Sequence, residues 1–138
     1  FEDAYFDVVC GSGILHHLDL DKALTELARV LKPSGSAVFF EPLGHNVLIN
    51  LYRRLTPKMR SQDEHPLLMC DLKRFSTHFK QCRFHYYNLL ALAAVPFHSL
   101  PGFKGLLAFL HGLDRLLLSA PFLKSQAWLV VVKLEQPS

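Results

Sequence analysis

The feature that most constrains the fold is an order of signals in residues 6–41. Phe6-Asp7-Val8-Val9-Cys10 is a short apolar run, β-branched at its centre and ended by glycine, the pattern of a buried parallel strand. Asp19 stands where a helix N-cap belongs. It precedes Leu20, Ala23, Leu24, Leu27, Ala28 and Leu31, spaced three and four apart on one helical face. Lys32-Pro33-Ser34-Gly35 reads as a tight turn that stops the helix, and Ala37-Val38-Phe39-Phe40 as the next strand. Strand, helix and strand in this order make a βαβ unit and an α/β fold. Ligands of open α/β sheets bind outside the carboxyl ends of the strands. Gly11 to His17 after the first strand, and Glu41 to Asn46 after the second, occupy those ends.

Downstream, a helix is expected to Leu55, with Val47, Leu51 and Leu55 on one stripe and a break at Thr56-Pro57. Residues 58–68 are polar and irregular. Asp71 is expected to cap a short helix bearing Leu72, Phe75 and Phe79. Residues 83–87 and the valine-rich residues 127–134 read as strands. Between them, residues 88–126 are too long and too apolar for a loop. They read as an apolar helical insert of one or two helices, packed on the sheet or over its edge.

The chain has 138 residues and is 50% hydrophobic, which suits one globular unit with a real core. A formal charge of +3 with scattered positive residues, apart from Arg53, Arg54, Lys58 and Arg60, argues against a nucleic-acid partner. Cys10, Cys70 and Cys82 are odd in number and widely spaced, so buried, reduced thiols are expected. No apolar run is long enough to span a bilayer. A strand pattern begins almost at Phe1, as in a cut chain or a piece of a longer one.

Several motifs carry candidate chemistry. Gly11-Ser12-Gly13 is not the dinucleotide fingerprint, because His16 stands where the third glycine would be and Leu31 where an acid is needed. His16-His17 with Asp21 matches the two-histidine, three-residue, aspartate pattern of CoA-dependent acyltransferases, in which a histidine is the base. Lys22 replaces the glycine that usually follows, and Asp19 and Asp21 are equally explained as helix starters. Adjacent histidines diverge and no second cluster has ligand spacing, so no metal site is expected. Glu41 ends an apolar strand and either accepts a proton in the crevice or anchors a loop. Asp7 has a structural role. His45, Asn46, Arg53 and His65 are candidates to hold a substrate. Arg53 and Arg54 are as easily a solvated helix face, and Asp63-Glu64-His65 a solvated loop.

Taken together, Phe6-Asp7-Val8-Val9, then Ile14-Leu15-His16-His17-Leu18, then Ala28-Arg29-Val30-Leu31-Lys32-Pro33-Ser34-Gly35, then a strand ending at Glu41-Pro42, resemble the class I S-adenosylmethionine-dependent methyltransferases. The resemblance covers roughly residues 6–64, with Ser34 where the family usually has a first glycine. It implies strands four to seven of a Rossmann-like seven-stranded sheet, the last antiparallel, with residues 1–138 forming the C-terminal portion of one domain. It implies S-adenosylmethionine as cofactor, touched here by Gly11, Ser12 and Gly13 only, since the main glycine-rich loop and its acid would lie upstream of Phe1. The reaction implied is attack by a substrate nucleophile on the cofactor's methyl carbon. Alignment can supply most of that catalysis, with His16, His17, Glu41 or His45 as an optional base. The substrate would be a small molecule, hydrophobic if residues 88–126 shape its site. The implied location is cytoplasmic, with peripheral membrane contact through the apolar insert left open. By this resemblance the chain alone is an inactive fragment, or a non-catalytic interaction module. Its first strand would offer an unpaired edge for self-association.

Overall fold

A computed structural model of the chain describes residues 1–56 and 65–137. The notable expectations that fall elsewhere, the helix break at Pro57, the cations Lys58 and Arg60 and the acids Asp63 and Glu64, lie outside the described residues. Strands β1 (Phe6–Ser12), β2 (Leu31–Pro42), β3 (Phe79–Tyr87) and β4 (Leu129–Pro137) form a four-stranded sheet in the order β1-β2-β4-β3. β1 and β2 are parallel. β4 is antiparallel to both its neighbours, so the expected antiparallel last strand is present.

Helix α1 (Leu20–Val30) joins β1 to β2. The Asp19 carboxylate accepts the Lys22 N–H and caps it. Leu20, Leu24, Leu27 and Val30 are buried, so the apolar face is the one read from the spacing, with Val30 in place of Leu31. Lys32 to Gly35 differ from expectation. β2 starts at Leu31, directly after the helix, and the pairing jumps from Phe6↔Leu31 to Val8↔Ser36. The residues expected to make a tight turn are a bulge within the strand. Pro33 has no N–H to give a ladder. A Cβ at Gly35 would stand 3.0 Å from the Lys32 carbonyl oxygen and 3.1 Å from that of Asp7. Asp7 holds the Lys32 ammonium across the bulge at 2.8 Å.

Ala37, Phe39 and Glu41 of β2 and Val130, Val132 and Leu134 of β4 face one side of the sheet and are buried. Leu24 and Leu27 pack there, with Leu72, Phe75 and Phe79. Helix α3 (Met69–Arg74) is capped by Asp71 as expected, but from the third helical position and not from the N-cap itself. Asp71 lies inside its first turn, where the carboxylate accepts the Leu68 N–H at 2.9 Å, and Phe79 opens β3 rather than ending the helix. Helix α2 (Val47–Leu55) buries no residue fully. The expected apolar stripe, Val47, Leu51 and Leu55, is exposed, and the α2 residues that line the cleft at the sheet end include Leu48, Ile49 and Tyr52.

Residues 88–126 form a 3-10 segment (Ala91–Phe97), helix α4 (Phe103–Leu117) and a second 3-10 segment (Pro121–Gln126). α4 packs chiefly on the first 3-10 segment rather than on the sheet. Asp114 ties the two together. It is buried, and its carboxylate accepts the N–H groups of Leu89 at 2.9 Å, Leu90 at 2.6 Å and Ala91 at 3.2 Å. The expectation of buried thiols fails. Cys10 and Cys70 are exposed: Cys10 sits on β1, where alternate side chains fall on opposite faces, and Cys70 in the first turn of α3. Only Cys82 is half-buried, and desolvation pushes its thiol above the usual range.

Candidate active site

The site begins where β1 ends. Gly11 is needed for close approach: a Cβ there would stand 2.8 Å from the Phe39 ring. Gly13 has φ +62, a left-handed backbone that turns the chain out of the sheet. Its N–H donates to the Phe40 carbonyl at 2.8 Å. A 3-10 turn (Leu15–His17) follows, with its first N–H groups pointed back at β2.

Glu41 receives them. Its side chain has 0% exposure. Oε1 accepts the N–H of Ile14 and of Leu15, both at 2.9 Å, and Oε2 lies 2.7 Å from His16 Nδ1. An ionised carboxylate only accepts, so Nδ1 is the donor in this bond. Of the two roles open for Glu41, loop anchor is the one realised.

A cleft of about 720 Å³ opens at the carboxyl ends of β1 and β2, within the range of small-molecule sites. Ser12, Gly13, Phe40, Pro42 and Leu129 come from the strand ends. Leu48, Ile49, Tyr52 and Arg53 come from α2, and Leu92, Ala93, Val95 and Pro96 from the first 3-10 segment. Trp128 and His16 complete the wall with Thr56. The lining is mostly apolar, with the hydroxyls of Ser12 and Thr56, an imidazole, a phenol and a guanidinium set into it.

Four of the residues singled out by sequence therefore meet in the cleft: Ser12, Gly13, His16 and Arg53. The others do not line it. Gly11 packs under Phe39. His17 is exposed and its ring lies against that of His16, with centroids 4.1 Å apart. His45 Nε2 accepts the Met69 N–H at 3.1 Å and so ties its loop to α3. Asn46 is buried and caps α2 by accepting the Ile49 N–H at 2.9 Å, while its amide donates to the Gln126 carbonyl at 2.5 Å. His65 donates its backbone N–H to the His16 carbonyl at 3.2 Å and borders a small polar crevice beside Asp71 and Arg74. Asp21 is on the exposed first turn of α1. The Arg74 guanidinium, hydrogen-bonded to it, holds its carboxyl below the ordinary range. Asp21 therefore does not join the histidines, and the acyltransferase motif is dissolved. Among the described residues no group of His, Cys, Asp and Glu could hold a metal ion.

Tyr52 and Trp128 were not singled out by sequence. Ile49, Tyr52 and Arg53 lie three and four apart, one face of α2. Trp128 is the chain's single tryptophan, placed just before the last strand.

Residues 1–39 match the sequence model of a methyltransferase domain. Over 100% of its length the chain superposes on phosphoethanolamine N-methyltransferase 2 of Haemonchus contortus. In that enzyme's complex with S-adenosyl-L-methionine the TM-score is 0.61 at 14% identity. In its complex with phosphomonomethylethanolamine and S-adenosylhomocysteine the TM-score is 0.58 at 17% identity. The fold is that of the class I methyltransferases. A methyltransferase from Archaeoglobus fulgidus described as dependent on S-adenosylmethionine aligns over 99% of the chain, with TM-score 0.56 and 16% identity. The chain spans 35% of the Haemonchus enzyme and 61% of the Archaeoglobus one. No curated protein sequence gives a significant match. The methyltransferase resemblance read from residues 6–41 thus holds in fold and in its first segment.

Proposed function

We propose that this sheet serves S-adenosylmethionine-dependent methyl transfer to an apolar small molecule, with His16 as general base and Glu41 as the group that orients it. The observation that carries the reading is the His16–Glu41 pair, 2.7 Å apart, at the wall of a cleft on the carboxyl ends of two parallel strands. Support for the cofactor comes from the Haemonchus structures, solved with the methyl donor or its demethylated product.

The residues present fit one part of that cofactor. Gly13 carries no Cβ and its backbone is open beside the cleft, so the Ser12-Gly13 turn suits the methionine end. Among the described residues no acidic side chain lines the cleft to take ribose hydroxyls. When bound, S-adenosylmethionine supplies an electrophilic methyl group on a sulfonium.

The chain's own residues do the rest. Phe40, Ile49, Leu92 and Trp128 hold an apolar body and exclude water, which favours a fixed line of attack. His16 takes the proton from the attacking atom at Nε2 while Nδ1–H stays on Glu41. Arg53 meets an acidic or polar end of the substrate. The acceptor bound to the Haemonchus enzyme is a phosphorylated amine; the mostly apolar lining here argues for a different acceptor class.

The test is transfer of a labelled methyl group to apolar acceptors by the whole protein. His16→Ala lowers kcat by roughly 10²–10⁴-fold, whereas His17→Ala stays within a few-fold. Equal rates for wild type and His16→Ala, with the fold intact by circular dichroism, would remove His16 from the mechanism. Absence of transfer by the wild type to any acceptor would remove the reaction.

A further inference from the structure

Helix α4 hides almost nothing on its outward side. Phe109 is 63% and Leu116 69% exposed, seven residues apart on one face, and Leu106 lies beside them. The exposed apolar surface continues through Phe97 and Leu100 before the helix and Phe122, 77% exposed, after it. Contiguous apolar surface of this kind marks an interaction site rather than a solvated face.

On the flank of α4 roughly 120° round from this stripe, at about 100° per residue, the exposed charges have one sign. Lys104, His111 and Arg115 are exposed and sit in one row, seven and four residues apart. Lys124 follows on the second 3-10 segment. The single acid in residues 88–126 is Asp114, and it is buried on the N–H groups of Leu89, Leu90 and Ala91. The surface therefore offers cations and no anion. Packing two copies of α4 face to face would oppose Lys104 and Arg115 with like charges and no partner. An anionic bilayer meets both properties. Phenylalanine and leucine enter the acyl boundary, and lysine and arginine reach out to phosphates.

We propose that α4 and its flanking 3-10 segments dock on an anionic lipid surface. The placement also serves the cleft. Val95 from the first 3-10 segment, and Leu48 from α2, both line the cleft and stand more than half exposed at its rim. An apolar molecule leaving the bilayer beside α4 reaches the cleft along apolar side chains. The proposal does not rest on the methyl-transfer reading, and its test contains no cofactor.

The test is co-sedimentation of the protein with phosphatidylcholine vesicles and with equimolar phosphatidylcholine–phosphatidylglycerol vesicles, at low and high salt. The expected result is pelleting with the anionic vesicles about tenfold or more above the neutral ones at low salt, released by high salt. Two exposed double variants, Phe109→Asp with Leu116→Asp and Lys104→Glu with Arg115→Glu, each reduce binding by about tenfold while circular dichroism stays unchanged. Equal pelleting with both vesicle types, or anionic binding that neither variant weakens, overturns the proposal. A stable dimer in sedimentation equilibrium that the Phe109→Asp, Leu116→Asp variant dissolves also overturns it, and assigns the face to a second copy.

Discussion

Glu41 is a charged side chain without exposed surface, and its three hydrogen bonds explain how it is tolerated. Two backbone N–H groups and one imidazole N–H surround the carboxylate, replacing the water it has lost. Removing it strands all three donors. Glu41→Ala should destabilise the protein by about 3–5 kcal/mol, read as a lowered midpoint in urea with an unchanged slope. The sequence left Glu41 between two roles for a physical reason. Its partners lie 25 to 27 residues away, and they meet it only because Ser12 pairs with Phe40 across the strands. Residue type announces a carboxylate at a strand end; register decides what it touches. Gly13 was legible for the opposite reason, since a glycine after an apolar strand already implies a backbone that other residues resist.

Helices with a charged face were legible, and helices without one were not. α1 has polar residues opposite its leucines, so spacing alone identified the buried side. α4 is apolar nearly all round, and periodicity then cannot choose which side faces the protein. That is why Asp114 looked like an interruption rather than the fastening of residues 88–126. Its carboxylate is the only side chain accepting from Leu89, Leu90 and Ala91. Asp114→Ala should cost about 1–3 kcal/mol and speed hydrogen exchange of the Leu89 and Leu90 amides, with the amides of β2 and β4 changed far less.

Across the whole molecule, β1 is an outer strand of the sheet among the described residues, with one ladder to β2. Val8, 61% exposed, lies on it. Such an edge invites pairing with another chain. We propose that the 138-residue chain self-associates through this strand, and that Val8→Lys suppresses it. Sedimentation velocity over a range of concentrations checks this: a wild type that stays monomeric at every concentration would sink the idea.

The sheet order β1-β2-β4-β3 also sets a timetable. β1, α1 and β2 adjoin in sequence and can pair as soon as they are made. β3 finds no strand partner among them, because the strand it pairs with, β4, begins at Leu129, after residues 88–126. At translation speeds of about 5–20 residues per second, β3 spends a few seconds outside the ribosome as a finished strand with both edges bare. Phe79, Phe84 and Tyr86 are among its residues, so this interval, rather than the completed fold, is where the nascent chain most needs a chaperone.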